Sequence, residues 1–196
     1  RSRESVGNEM TKQYGMVIDT TRYMGCHTCV ISCKVSNDTP AGIYWSRVLS
    51  ADRDRADKVR GTFPNATIGY SPELCNHCAT PACVENCPTG AMHKREEDGV
   101  VISDPDTCIG CSTCVQSCPY EIPKVDEEAG VSSKCTLCYQ RLAYDKLPWC
   151  VESCPANARF VGDINDPSSE VAKLIAEKNA KPLMEEFGTG PSVYYI

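Results

Sequence analysis

Residues 108–119 read Cys108-Ile109-Gly110-Cys111-Ser112-Thr113-Cys114-Val115-Gln116-Ser117-Cys118-Pro119. This is C-x2-C-x2-C-x3-C-P, the run in which three thiolates hold one iron–sulfur cube and the fourth cysteine holds another. Two-residue gaps let a tight loop place three sulfurs on three corners of one cube. The fourth cysteine follows roughly one helical turn later and points away. Pro119 disfavours helical geometry at Cys118, so that ligand sits where the chain turns off. Gly110 suits the same loop, because a positive φ lets backbone N–H groups approach sulfur; Gly25 stands in the same relation to Cys26.

Three further cysteine groups surround this one. The first holds Cys26, Cys29 and Cys33. The second is Cys75-x2-Cys78-x4-Cys83-x3-Cys87-Pro88, and the fourth is Cys135-x2-Cys138-x11-Cys150-x3-Cys154-Pro155. Repetition of one unit at this scale governs the architecture. Between groups two and three, the runs Ala91–Lys94 and Val100–Ile102 flank Asp98-Gly99, a hairpin signal. The expected fold is therefore α+β, with two bacterial-ferredoxin-like units of two 4Fe-4S clusters each, one inserted in the other, with short helices and long loops. Groups one and four form the outer unit, over 13–70 and 130–196. Groups two and three form the inserted unit, over 71–129. Residues 1–12 are polar and expected to be a flexible N-terminus or an upstream remnant, with Met10 as a candidate true start.

Composition supports a metal-filled interior. The 196 residues include fifteen cysteines but only three phenylalanines and two tryptophans, too few large apolar side chains for an ordinary core of that length. A disulfide scaffold is disfavoured by the odd count and by the C-x2-C pairing. Zinc ribbons need neither the third cysteine of the run nor its Cys-Pro ending. The formal charge is −6, and four clusters at roughly −2 each would take the folded protein to about −14. An acidic chain without a Lys/Arg-rich run is a poor nucleic-acid ligand. No stretch approaches the ~18 apolar residues of a membrane span, and no signal-peptide apolar region is visible at the N-terminus, so membrane contact or export is expected only through a partner. Location is therefore open between the cytoplasm and the extracytoplasmic face of a membrane.

Outside the cysteine groups, Tyr14–Asp19 alternates as a strand, and a short helix is expected over Cys29–Ser36. Arg47-Val48-Leu49 is strand-like. The run Asp52-Arg53-Asp54-Arg55 is most simply a solvated loop, with a docking surface as the sharper reading. Tyr139 to Leu147 has a helical look and Ala158 to Ile164 reads as a strand. Ser168-Ser169-Glu170 starts an amphipathic helix reaching Ala180, with Val171, Leu174 and Ile175 on one face. Ser192–Ile196 is again strand-like. His77 and His93 are expected beside the clusters or at the surface, since groups two and three already supply eight cysteines. No catalytic triad, P-loop or G-x-G-x-x-G is present, so no second cofactor site and no catalysis by this protein are expected.

From about Tyr14 onward the pattern resembles the iron–sulfur electron-transfer subunit of the dimethyl sulfoxide reductase family of molybdopterin oxidoreductases. The likeness lies in the four groups in this order, and in the x4 and x11 gaps. It extends through Cys75-Asn76-His77-Cys78, Pro81-Ala82-Cys83-Val84, Cys87-Pro88-Thr89-Gly90-Ala91 and the tail Gly188–Tyr195. The resemblance implies that each group's last cysteine crosses to its partner group's cluster. Cys75, Cys78, Cys83 and Cys118 would then hold one cube, and Cys87, Cys108, Cys111 and Cys114 another. Cys33, Cys135, Cys138 and Cys150 would hold a third. Cys26, Cys29 and Cys154 would hold the fourth, the one nearest the catalytic subunit in that family. The implied partner is a large catalytic subunit carrying molybdopterin bis-guanine dinucleotide, with a membrane quinone-reactive subunit or a soluble donor at the other end.

The chain departs from the family at one place: Tyr23 stands where the first group has its first cysteine. Three outcomes are open. The cluster is 3Fe-4S; or it is 4Fe-4S with an oxygen or nitrogen ligand from Tyr23, Asp19, His27 or water; or it is missing. On the plainest reading Tyr23 fills the space the thiolate vacated. Two rival functions differ in kind, a free-standing soluble polyferredoxin and a cysteine-rich metal-storage protein. A carrier would purify alone, and a storage protein would lack absorbance near 400 nm.

Overall fold

The computed structural model describes residues 11–53 and 58–196. In chain order, β1 (Tyr14–Ile18) leads to α1 (Thr28–Ser36), which is followed by β2 (Ser46–Ser50), β3 (Val59–Arg60), β4 (Thr67–Ile68) and β5 (Tyr70–Leu74). Next come α2 (Ala82–Glu85), β6 (Met92–Lys94), β7 (Val101–Ser103), α3 (Thr113–Ser117), β8 (Lys124–Asp126) and β9 (Val131–Ser133). The remainder is α4 (Tyr139–Leu142), α5 (Trp149–Glu152), β10 (Arg159–Asp163), α6 (Glu170–Lys178), β11 (Lys181–Pro182), a 3-10 turn at Glu185–Phe187 and β12 (Val193–Tyr195). Short helices and strands in this mixture make an α+β fold of ferredoxin-like type.

Met16, Val17 and Ile18 of β1 are completely buried because both edges of the strand are paired. β10 runs antiparallel on one side, with Val17 opposite Phe160, and β12 runs parallel on the other, with Val17 opposite Tyr194. A strand covered on both edges and both faces reads as a continuous apolar run, as Met16-Val17-Ile18 does. The full sheet order is β10-β1-β12-β11, and the other strands form two-stranded ladders. β6 and β7 are the hairpin expected around Asp98-Gly99, with His93 opposite Ile102.

The two shortest cysteine helices are built alike. Pro81-Ala82-Cys83-Val84-Glu85-Asn86-Cys87-Pro88 and Pro148-Trp149-Cys150-Val151-Glu152-Ser153-Cys154-Pro155 each begin with an extended proline and end at Cys-Pro. Four helical residues cannot hold themselves together in water. They are held by tertiary contact: α2 packs on α3, and α1 packs on α5.

The ladder between β2 and β5 joins residues on either side of position 70, with Val48 opposite Pro72. Glu73, 3% exposed, pairs there with Arg47 at 2.9 Å and Arg53 at 2.8 Å. Arg47 also donates to the carbonyl of Tyr120 at 2.8 Å. The solvated-loop expectation for the run at 52–55 thus fails at Arg53, which is drawn in by a buried carboxylate. Asp54 and Arg55 lie outside the described residues, as does most of the expected flexible N-terminus. The helix expected over Tyr139–Leu147 stops at Leu142, because Asp145 takes a left-handed conformation (φ 54°) shortly before Pro148. α6 runs as expected from its Ser169 cap, whose hydroxyl accepts from Ala172 N at 3.1 Å, but ends at Lys178 with Asn179 left-handed (φ 51°). No helix among the described residues is long and apolar enough to cross a membrane.

Candidate iron–sulfur centres

Groups one and three have the same local backbone. Gly25 and Gly110 have φ of 69° and 65°, and His27 and Ser112, two positions on, have φ of 58° and 63°. Gly110 also has no room for a side chain, since a Cβ would lie 2.4 Å from the carbonyl oxygen of Gly130. In both loops a threonine, Thr28 or Thr113, hydrogen-bonds the cysteine two positions before it and holds that thiol below the ordinary range. The match places Tyr23 at the position of Cys108, Cys29 at that of Cys114, and Cys33 at that of Cys118.

Three cavities are each lined by four cysteines. Cys75, Cys78, Cys83 and Cys118 line one. Cys87, Cys108, Cys111 and Cys114 line another. Cys33, Cys135, Cys138 and Cys150 line the third. Their memberships are those of the three four-cysteine sets, and each joins cysteines from two groups. Among the described residues no three His, Cys, Asp or Glu side chains converge as a single metal ion requires. The cysteines surround a space instead of a point, which suits a multinuclear cluster better than zinc. All fifteen thiols are free.

Hydrogen-bond donors already face the sulfurs. Met92 N donates to Cys87 Sγ at 3.4 Å, Ser132 N to Cys108 Sγ at 3.2 Å and Leu137 N to Cys135 Sγ at 3.3 Å. Asn37 Nδ2 donates to Cys33 Sγ at 3.5 Å, whereas the Cys114 thiol donates to Ser132 Oγ at 3.3 Å. The N–H donors stabilise thiolate and raise cluster potential. Burial divides the sets. It pushes Cys33 and Cys83 up to about 12 and Cys78 and Cys150 up to about 11, and it raises Cys118, Cys135 and Cys138 as well. Cys87 differs: hydrogen bonds from Met92, Thr89 and Gly90 outweigh its slight burial and hold it low. Without a metal these seven raised cysteines are neutral thiols, so iron must displace their protons. The residues fit iron–sulfur clusters at all three cavities.

Cys26, Cys29 and Cys154 line none of these cavities. Ala158 N donates to Cys154 Sγ at 3.4 Å, and the Tyr23 hydroxyl lies 3.2 Å from Cys29 Sγ. Tyr23 is half-buried, with its ring edge-on to Tyr70 at 6.4 Å. Burial, followed by the bond to Cys29, keeps its hydroxyl protonated. Asp19 is occupied elsewhere: its Oδ1 accepts from Thr21 N at 3.0 Å and from the Thr21 hydroxyl at 2.6 Å, and its Oδ2 pairs with Arg22 at 3.1 Å. His27 is exposed.

His77 is 1% exposed, and its Nδ1 accepts from Val101 N at 3.1 Å, which fixes the ring as neutral. Burial and then the Lys134 charge hold its pKa well below the ordinary value. His93 is half-buried, with Nδ1 3.1 Å from the Ala91 carbonyl oxygen. Sequence reasoning missed three residues. Lys134, 2% exposed, donates to the carbonyls of Val101 and Cys135 between two cysteine sets. Arg159, 3% exposed, donates to Cys29 Sγ at 3.3 Å. Thr189, from the C-terminal tail, lines the Cys75/Cys78/Cys83/Cys118 cavity and hydrogen-bonds Cys78. A usable signal existed for Lys134, which precedes Cys135 where the apolar Leu74 precedes Cys75.

A family model described as a 4Fe-4S dicluster domain matches residues 66–164. The sequence is 41% identical to the B subunit of sulfite dehydrogenase from Allochromatium vinosum, over 94% of this protein and 82% of that one. It is 40% identical to the B subunit of tetrathionate reductase from Salmonella typhimurium, over 94% and 72%. It is also 40% identical to the B polypeptide of anaerobic dimethyl sulfoxide reductase from Escherichia coli, over 94% and 88%. This protein belongs to the iron–sulfur electron-transfer subunits of the dimethyl sulfoxide reductase family. Members of this family of subunits serve oxidoreductase complexes without being the catalytic subunit. A subunit of this type has its chemistry in cysteine sets and in the charges packed between them.

Proposed function

We propose that this protein is a four-cluster electron relay whose order in space is the Cys26/Cys29/Cys154 set, then Cys33/Cys135/Cys138/Cys150, then Cys75/Cys78/Cys83/Cys118, then Cys87/Cys108/Cys111/Cys114. The observation that carries this is the trio of cavities, each lined by four cysteines drawn from two separate groups. The order follows from which thiols feel one another. Cys29 acts on Cys150, and Cys75 acts on Cys135, while α2 carries Cys83 of one set and leads directly into Cys87 of the next. Packing of α1 on α5 and of α2 on α3 supports reading the fold as one two-cluster unit inserted in another, with limits near 13–70, 71–129 and 130–196.

Three sets suit 4Fe-4S clusters, and the fourth suits either a 3Fe-4S cluster or a 4Fe-4S cluster with a non-cysteine ligand. When bound, each cluster supplies a one-electron carrier. The polypeptide places the sulfurs, aims N–H groups at them and excludes water from the two middle sets. The end sets each carry an exposed cysteine, Cys26 or Cys111, beside an exposed apolar residue, Met24 or Ile109. These ends suit contact with a catalytic molybdopterin subunit at Met24 and with a membrane quinone-reactive subunit or soluble donor at Ile109. Co-purification decides between this reading and a free carrier: a large subunit should remain bound through salt washing and gel filtration. Isolation of the protein alone, with clusters intact, would favour the polyferredoxin.

The crossing of ligands is separately testable. Cys118→Ser should perturb the cluster held mainly by Cys75, Cys78 and Cys83, and should leave that of Cys108, Cys111 and Cys114 unchanged. EPR with the cluster signals resolved reads the outcome. Loss of the Cys108 signal with the Cys75 signal intact would place Cys118 on its own group's cube and refute the pairing.

A further inference from the structure

Arg159 opens β10, immediately after the Cys154 turn, and is 3% exposed. Among the described residues it forms no ion pair with a carboxylate. Its Nη2 donates to Cys29 Sγ at 3.3 Å, its Nη1 lies 3.8 Å from Met16 Sδ, and its Nε is buried with no hydrogen-bond partner among the described residues. A guanidinium does not lose its charge on burial. A buried charge that is neither paired nor hydrogen-bonded is strongly destabilising. Two different sets lie within its reach: Cys29 of the three-cysteine set, which it touches, and the neighbouring set, whose Cys150 is carried by α5, the helix packed on β10.

The internal repeat supplies a control inside the same molecule. Met92 opens β6 five positions after Cys87, as Arg159 does after Cys154. Met92 packs between Cys83 and Cys114, the counterparts of Cys150 and Cys29. One half of the protein therefore has a thioether where the other has a fixed cation. At the matching ligand position the first half has Tyr23 where the second has Cys108. One thiolate fewer and one guanidinium more leave the Cys26/Cys29/Cys154 set two charge units more positive than its counterpart. Tyr23 and Arg159 also converge on the same sulfur, Cys29.

We propose that Arg159 is a potential-setting residue, a fixed charge shared by the clusters of the Cys26/Cys29/Cys154 and Cys33/Cys135/Cys138/Cys150 sets, which makes that end of the relay the electron sink. This rests on the four-cluster reading above. A cluster held by Cys26, Cys29 and Cys154 would take one electron from a reduced cluster held by Cys33, Cys135, Cys138 and Cys150, with no proton moved and no bond formed or broken. The cation favours the added negative charge, and its unpartnered Nε–H is a donor available to the same cluster.

The test is an EPR-monitored redox titration of the intact complex carrying Arg159→Met, Arg159→Gln or Arg159→Lys. Met reproduces the residue of the other half, Gln keeps a donor without the charge, and Lys restores the charge. In Met and Gln the reduced-to-oxidised ratio of the three-cysteine cluster at fixed potential should fall at least tenfold, which for one electron is ~59 mV. The neighbouring cluster should fall less, the other two should not move, and Lys should recover most of the loss. Unchanged potentials with full iron content would overturn the role of Arg159, as would an equal shift in all four clusters. A measurement on the unaltered protein covers variants that fail to assemble. Labelling with ¹⁵N-arginine should give a nitrogen hyperfine coupling on the signal of the three-cysteine cluster, and an absent coupling overturns the proposal. Absence of the cluster signals themselves would instead overturn the four-cluster reading.

Discussion

Stripped of iron, the protein should lose its cooperative unfolding transition entirely. Eight cysteines are buried among the apolar residues of the core, and six of them line the three cavities. Sulfurs ringed around unfilled space gain no packing enthalpy across it. Lys134 and Arg159 worsen the balance, since both are buried cations facing sulfur and carbonyl oxygen instead of carboxylate. With clusters bound, the negative charge they need is present; without them it is not. The whole stability of a domain is about 5–15 kcal/mol, so these terms together leave nothing for a cluster-free native state, and metal binding and folding become one event. Calorimetry before and after oxidative chelation measures this: an endotherm for the brown protein and none for the colourless one. A sharp transition in iron-free material would contradict it.

Replacing Tyr23 by cysteine should change one cluster and spare three. Gly25 and His27 repeat the backbone of Gly110 and Ser112, so a thiol at position 23 would arrive where Cys108 does in the other half. Removing the tyrosine also removes its hydroxyl from Cys29, where it lies 3.2 Å from the sulfur. Both changes add negative charge or take away a donor, and each lowers reduction potential. Tyr23→Cys is therefore expected to give a four-thiolate 4Fe-4S centre whose potential is at least ~59 mV lower, a tenfold change in the one-electron equilibrium. Iron content, EPR line shape and a redox titration report it together. An unchanged iron count with an unchanged signal would mean that the corner at Tyr23 is not a ligand position.

The cysteine groups were legible from their spacing, because a cluster tolerates few arrangements of ligands, and the hairpin from Asp98-Gly99, because Gly99 supplies the left-handed residue (φ 70°) of its loop. β1 was legible as a strand but its burial was not: Tyr14–Asp19 reads as alternating, whereas Met16, Val17 and Ile18 are all buried. The ladder between β2 and β5 was not legible, since Arg47 and Glu73 break the apolar alternation and come together only in the fold. Arg159 was hidden for the same reason. An arginine at the head of a strand reads as surface until folding carries Cys29 to it from the far end of the sequence. Thr189 lay in a tail whose recurrence in the family was plain but whose contact with Cys78 was a tertiary fact. The helical reading of Tyr139 to Leu147 is too long at its C-terminal end, where the helix stops at Leu142 and Asp145 turns left-handed.

The proposed insertion of one two-cluster unit within the other has a consequence for biosynthesis. All eight cysteines of the Cys75/Cys78/Cys83/Cys118 and Cys87/Cys108/Cys111/Cys114 sets have left the ribosome once residue 118 is clear. The outer sets are divided: Cys26, Cys29 and Cys33 emerge early and must wait for Cys150 and Cys154. β1 waits longer, for β12. At roughly 5–20 residues per second the gap is on the order of ten seconds. During it the first three thiols are exposed to oxidants and stray metals, while the inner sets can already accept iron. Translation arrested with residue 118 clear of the ribosome should therefore yield nascent polypeptides that take up labelled iron through the inner cysteines alone. Uptake only after full synthesis would refute that order. The vulnerable thiols of this protein are its earliest, and a delivery factor that shields Cys26, Cys29 and Cys33 would have the most to protect.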